Sequence, residues 1–198
     1  PAPSRTLAFT GNVLRAFGDE YKTGGMAFLA LSAEVRARVT PKIGVVVAWQ
    51  SPITGTIRID GSVQDAHTDC GNGVAYALEF RRGRTRERLA NGVTEGDKVA
   101  KIGRLENVRV AAGDVIALVI NPRDASHICD MTALDLTIHD GTKEWDLGRD
   151  ISPDILAGNP HADRHGNPAV WHFVGEPVAA ESPSTIPQDS LLAQWRKA

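Results

Sequence analysis

Two polar loops carry most of the side chains in this sequence that could bind a ligand or take part in a reaction. The first loop, residues 64–73, reads QDAHTDCGNG, and the second, residues 121–130, reads NPRDASHICD; each contains one of the two cysteines of the chain. Carboxylates, amides, imidazoles and a guanidinium group are the partners that sugar hydroxyls and small polar ligands use. The candidate ligand-binding residues in the two loops are Asp65, His67, Asn72, Arg123, Asp124 and His127.

The same loops supply the oxygen atoms of a candidate calcium site, because Ca²⁺ takes roughly six to eight oxygen ligands. Its predicted carboxylates are Asp65, Asp69 and Asp130. The alternative for the Asp and His side chains of both loops is that they hydrogen-bond to loop backbone and have no ligand.

An aromatic face for a sugar ring could come from two tryptophans that follow these loops in the sequence. Trp145 is the predicted stacking residue, and Trp171 is the second candidate. The alternative for each ring is a place in the core or beneath a loop, which is common for such large apolar side chains.

The two cysteines, Cys70 and Cys129, predict a disulfide that joins the loops. A sandwich topology would bring both loops to one end, and a bridge would hold the two Cα atoms within about 7 Å. Such a bridge indicates an oxidising, secreted or periplasmic location. The alternative is two separate buried thiols, whereas the spacing excludes a CxxC redox motif and a haem-attachment motif.

The elements that must position these loops are β-strands. Val115 to Ile120 is an unbroken apolar run rich in β-branched residues, which predicts a strand buried on both faces. Ala133 to Ile138 alternates apolar and polar residues, which predicts a half-buried strand. Similar short runs, including Met26 to Leu31, Lys42 to Trp49 and Val74 to Phe80, recur between turn residues.

This rhythm predicts an all-β fold, a two-sheet antiparallel β-sandwich of jelly-roll type with a loop-rich C-terminal extension. The predicted domain covers residues 1–177. Residues 178–198 contain a Pro/Ser-rich stretch and an amphipathic SLLAQWRK segment, so we expect a linker and a short helix that lead to another domain. The chain starts at Pro1 without Met, which predicts an excised part of a longer protein.

Composition, charge and the motifs of the sequence argue against several classes of function. The net charge of −2 and the mixed signs argue against nucleic acid as a partner. The basic run RRGRTRER, residues 81–88, is more typical of a solvated hairpin than of a phosphate site. No apolar run is long enough to span a membrane. No nucleophile elbow, HExxH motif or paired glutamates accompany the polar loops, so we expect no enzyme.

Three stretches, CGNGVAYALEF, VRVAAGDVIALVINPR and HICDMTALDLTI, resemble the jelly-roll, carbohydrate-binding-module-like domain of large cytochrome-c-like planctomycete proteins. The resemblance covers about residues 44–174. More distantly, the chain is similar to sandwich modules appended to polysaccharide lyases and glycosidases. The resemblance implies a non-catalytic carbohydrate-binding module that attaches a larger exported protein to polysaccharide, next to other domains of the same chain. The alternatives are a structural spacer and a polysaccharide-active enzyme.

Overall fold

A computed structural model gives the architecture of the protein. It describes residues 5–6, 8–10, 13–15, 27–31, 34–66, 70–94, 96–126, 130–151 and 157–178. Within these residues, antiparallel strands form two sheets that enclose one main core, which confirms the predicted β-sandwich. The predicted linker and helix in residues 178–198 lie outside the described residues, apart from Val178.

The described strands are short at the N-terminus and longer through the middle of the chain. The strands are β1 (Arg5–Thr6), β2 (Ala8–Thr10), β3 (Val13–Arg15), β4 (Ala27–Leu31), β5 (Glu34–Arg38), β6 (Ile43–Gln50), β7 (Gly55–Asp65), β8 (Val74–Arg82), β9 (Thr85–Val93), β10 (Ala100–Lys101), β11 (Leu105–Val110), β12 (Val115–Pro122), β13 (Met131–His139), β14 (Glu144–Asp146) and β15 (Trp171–Pro177). A 3-10 turn covers Arg123–Ala125, and a short helix, α1, covers Leu147–Ile151.

The chain passes repeatedly from one sheet to the other, so consecutive strands often lie in different sheets. The first sheet has the order β1–β15–β6–β12–β8–β9, and the second has the order β10–β7–β13–β5–β4–β3–β2, with β11 also paired to β7 and β14 to β13. The chain therefore crosses from one sheet to the other at β1–β2, β5–β6, β6–β7, β7–β8, β9–β10, β11–β12, β12–β13 and β14–β15. These crossings pack the two sheets against each other, in agreement with the predicted jelly-roll type of sandwich.

Strand β12 lies in the middle of the first sheet, as its apolar run predicts. Ile116, Leu118 and Ile120 point into the main core, whereas Ala117 and Val119 belong to a second apolar cluster on the other face of the sheet. Strand β13 shows the predicted alternation, because Leu134, Leu136 and Ile138 are buried while Asp135 is exposed. Both predictions from periodicity are confirmed.

The basic run is a hairpin, as predicted, but its first arginine is not a solvated side chain. Arg81 binds Glu176 through two nitrogen–oxygen contacts of 2.6 and 3.1 Å and also contacts Glu79 at 2.8 Å. Arg86 adds a 2.9 Å contact to Glu176. Burial acts to raise the pKa of Glu176, but the two guanidinium groups outweigh it and hold that pKa below its usual value.

None of the helices in the described part of the chain has the length and apolar character needed to span a membrane.

Candidate functional site

The sheet topology brings the two cysteine-bearing loops to one end of the sandwich. Strands β7 and β13 are neighbours in the second sheet, and Asp65 at the end of β7 pairs with Thr132 at the start of β13. Strands β8 and β12 are neighbours in the first sheet, and Val74 pairs with Pro122. The loops therefore cross between the sheets side by side. We call residues 64–73 and 121–130 together the loop end.

Hydrogen bonds join the two loops directly. The Asn72 side-chain amide donates to the Arg123 carbonyl oxygen at 2.9 Å. In return, the Arg123 guanidinium group donates to the Asn72 carbonyl oxygen at 3.4 Å and to the Thr94 carbonyl oxygen at 3.5 Å. Since these residues are about 50 positions apart in the sequence, the contacts make the two loops one surface.

Backbone conformation supports this arrangement at two positions. Gly73 has a φ of 76°, and a Cβ atom there would collide with Thr94, so a residue with a side chain would be strained and obstructed. Asp124 has a φ of 51°, a left-handed conformation that Asp tolerates better than most residues. The left-handed turn places the Asp124 side chain in solvent, with 81% of it exposed.

The predicted ligand-binding residues divide into exposed and buried groups. Arg123 has 38% of its side chain exposed and lies 3.7 Å from the Asp124 carboxylate. Asp65 is buried, which does not fit the direct sugar contact predicted for it. His67 and His127 lie outside the described residues. A ligand at the described part of this end would therefore meet Arg123 and Asp124 first.

Cys70 is disulfide-bonded, and no cysteine among the described residues is a free thiol. Its predicted partner, Cys129, lies outside the described residues. The pairing of Cys70 with Cys129 therefore stays a prediction.

The predicted calcium site is only partly within the described chain. Asp65 and Asp130 are both buried at the loop end, whereas Asp69 lies outside the described residues. Among the described residues, no group of three or more His, Cys, Asp or Glu side chains is arranged to hold a metal ion. One oxygen at this end has unused capacity, since Asn72 Oδ1 is buried with no hydrogen-bond partner in the described chain. A hard cation or a water molecule would satisfy it.

The prediction that Trp145 stacks on a sugar ring is wrong. Trp145 is 0% exposed and belongs to the main core. Its ring packs edge-on against Trp49, with 5.2 Å between ring centres, and its indole nitrogen donates to the Asp163 carboxylate at 2.6 Å. Trp171 is buried as well and donates to the Asp150 carboxylate at 2.8 Å. The core alternative therefore describes both rings.

The two carboxylates that hold these indoles have opposite pKa shifts. Burial acts to raise the pKa of Asp163, but hydrogen bonds from Asn167, Trp145 and His165 outweigh it and hold the pKa below its usual value. Burial raises the pKa of Asp150 above its usual value, although Trp171 and Arg164 act in the other direction. Asp163 is thus stabilised as an anion by several donors, and its role is structural.

A cleft that the sequence did not predict lies at the other end of strands β7 and β13. It has a volume of about 470 Å³, and its lining includes Thr56, Arg58, Asn107, His139, Thr142 and Lys143. Arg58 is seven residues from Asp65 along β7, so the cleft is roughly 23 Å from the loop end at ~3.3 Å per strand residue.

Comparison with known proteins adds little to this geometry. No protein-family model matches the sequence, and no curated protein gives a significant match. A solved structure, TmCBM61 in complex with β-1,4-galactotriose, is similar over 70% of this chain and 89% of that chain, with 13% sequence identity and a TM-score of 0.36. A likeness of this size assigns neither a ligand nor a site residue to this chain.

Proposed function

We propose that this domain binds polysaccharide at the loop end and does not cleave it. The observation that carries the proposal is the reciprocal hydrogen bonding between Asn72 and Arg123, which fixes one polar surface from two loops. On that surface the Arg123 guanidinium group can donate and the Asp124 carboxylate can accept. Paired donors and acceptors of this kind match vicinal sugar hydroxyls.

The proposed contacts involve residues whose positions the structure describes and others that are candidates from the sequence alone. Arg123 and His127 would donate to sugar hydroxyls or to a uronate carboxylate, while His67 and Asn72 would fix the orientation of the ring. Because Trp145 is buried, no stacking from that residue contributes to affinity. We expect shallow, water-mediated binding of low affinity, which repeated sites on a polymer or neighbouring domains would strengthen.

The biological setting also stays a proposal. The disulfide-bonded state of Cys70 supports a secreted or periplasmic location, because disulfides persist in oxidising compartments. In that setting the domain would attach a larger protein to polysaccharide.

Substitutions at the exposed loop residues test this site. We expect Arg123→Gln and Asp124→Asn each to weaken binding in affinity electrophoresis against soluble plant and algal polysaccharides by about tenfold, since each removes a charge-assisted hydrogen bond. Asn suits the left-handed backbone at position 124, so Asp124→Asn tests the site without disturbing the loop. Arg84→Gln, an exposed residue in the β8–β9 turn, is the matched control. Equal retardation of all three variants and the parent would exclude the loop end.

Removal of calcium is a separate expected result. If Asp65, Asp69 and Asp130 hold Ca²⁺, a chelator should lower the melting temperature, because an ion bound only by the folded protein stabilises it by mass action. The buried, unpartnered Asn72 Oδ1 would complete the oxygen set. Differential scanning calorimetry with EDTA, and with EDTA plus excess CaCl₂, measures the effect. Superimposable melting curves would remove the metal from the account.

A further inference from the structure

The cleft at the far end of the sandwich has the size and position of a second ligand site. Its volume of about 470 Å³ falls in the range of about 300–1,000 Å³ that is typical of small-molecule sites. Its floor is the outer surface of β7 and β13. One wall is β11, and the other is the turn of residues 140–143 after β13.

The β11 wall has an irregular shape that is built into the fold. The pairing of β11 with β7 shifts register between Leu105 and Val108, which is a β-bulge. Asn107, within the bulge, has a φ of 61°, a left-handed conformation that Asn tolerates better than most residues. Bulges are found more often at sheet edges and beside active sites than elsewhere in sheets. The exposed Asn107 lines the cleft.

The floor carries a row of three side chains from neighbouring strands. Arg58 on β7 pairs with His139 on β13, which pairs with Glu144 on β14. Glu144 already has several cationic partners, since Arg149 lies 3.2 Å and Arg164 lies 3.0 Å from its Oε1 atom. The Glu144 carboxylate is therefore neutralised by its neighbours and offers little attraction for a ligand cation.

The other carboxylates of the cleft are also engaged. Asp140 accepts hydrogen bonds from the Thr142 amide at 2.8 Å and from the Lys143 amide at 2.6 Å. Burial acts to raise the pKa of Asp140, but these bonds hold it below its usual value. Glu106 pairs with Arg104 at 3.3 Å. The acceptors that line the cleft are thus largely saturated by the protein.

The donors of the cleft have capacity to spare. Arg58 uses its Nε atom on Asp60 at 2.8 Å, and its two terminal nitrogens have no hydrogen-bond partner in the described chain. The Lys143 ammonium group makes no ion pair with any described residue; it acts on Asp140 only through space. Unused guanidinium and ammonium donors, one on the floor and one on a wall of a cleft, are complementary to an anion.

We propose that this cleft binds a carboxylated sugar, such as a uronic acid residue of a polysaccharide. Arg58 and Lys143 would hold the carboxylate, and Asn107, Thr56 and Thr142 would contact ring hydroxyls. A volume of 470 Å³ is far larger than one inorganic anion needs, and the neutral polar side chains of Thr56, Asn107 and Thr142 in the lining are suited to hydroxyl groups. The site lies at the opposite end from the loop end, so the proposal does not depend on the function proposed there.

Isothermal titration calorimetry with trigalacturonate, galactotriose and inorganic sulfate tests this site. We expect saturable binding of trigalacturonate to the parent, with affinity at least about tenfold lower in Arg58→Gln and in Lys143→Gln, because each variant removes a charge-assisted contact. Galactotriose should bind at least about tenfold more weakly than trigalacturonate, since it lacks the carboxylates. Arg109→Gln removes an equal charge from the neighbouring row of the same sheet and should bind like the parent.

Three results would overturn the proposal. They are no binding of trigalacturonate to the parent, unchanged affinity in both variants, and sulfate binding as tight as that of trigalacturonate, which would reduce the cleft to a general anion site. Lys143 is exposed and without an ion pair in the described chain, so Lys143→Gln can be interpreted even if Arg58→Gln disturbs the sheet. Arg84→Gln, in the β8–β9 turn outside both proposed sites, should leave this binding unchanged.

Discussion

Replacing Asp163 with alanine should destabilise the protein by about 3 kcal/mol, because a buried indole donor loses its partner. Asp163 is buried, with 7% of the residue exposed. It accepts hydrogen bonds from the Trp145 indole at 2.6 Å and the Asn167 side chain at 2.7 Å, and from the amides of His165 and Asn167 at 2.9 and 2.8 Å. Urea denaturation followed by tryptophan fluorescence measures the loss.

Asp140→Ala is the matched control for this variant. Asp140 also accepts two backbone amides and a side chain in a turn, but its donors reach solvent once the carboxylate is gone. We therefore expect a loss of only about 1 kcal/mol. Equal losses in the two variants would contradict the claim that the buried Trp145 donor makes Asp163 important.

The contribution of Asp163 to the free energy of unfolding should depend on pH. Its pKa is lower in the folded protein than in the unfolded chain, so its contribution is fully present above the unfolded value, which is about 3.9. That contribution disappears as the pH falls through the folded pKa. The difference in stability between parent and Asp163→Ala should thus be constant near neutral pH and narrow below about pH 4. A difference that widens on acidification would show that the sign of the pKa shift is wrong.

Reduction of the predicted Cys70–Cys129 bridge should lower the free energy of unfolding by about 4 kcal/mol. The bridge closes a loop of about 60 residues, and the unfolded chain gains conformational entropy when the bridge is broken. Thermal unfolding with and without a phosphine reductant measures the effect. The Cys70→Ser/Cys129→Ser double variant is the control, because the reductant should not change its melting curve.

The same bridge makes a direct chemical prediction. Thiol titration of the denatured, unreduced protein should find no free thiol, and a non-reducing gel should show a monomer. Two titratable thiols would contradict the disulfide and weaken the proposed exported location. A reducible dimer would show that Cys70 pairs between chains instead.

The sequence predicted those parts of the fold that depend on local pattern. The apolar run Val115 to Ile120 and the alternation in Ala133 to Ile138 identified two central strands, because burial on one or both faces leaves a period in the sequence. The convergence of the cysteine loops was also predictable, since each loop joins one sheet to the other and the strands that flank the two loops are neighbours within each sheet.

Features that depend on contacts between distant residues were not predicted. The sequence places Trp145 in a polar stretch, and its burial depends on Asp163, 18 residues further on. The segment from Asp163 to Asn167 contains Gly166 and polar residues typical of a turn, but this local pattern does not indicate that the turn contacts Trp145. The cleft escaped prediction because its walls come from a bulge in β11 and a turn after β13, which become neighbours only through pairing with β7.

Affinity electrophoresis, combined with a reducing-end assay on the same polysaccharides, tests the central claim most directly. Gels cast with a series of soluble plant and algal polysaccharides should retard the protein in proportion to the concentration of at least one of them. The same polysaccharide incubated with the protein should gain no reducing ends. Absence of retardation by every polysaccharide, or new reducing ends that increase with protein concentration, would contradict the account of a non-catalytic carbohydrate-binding domain.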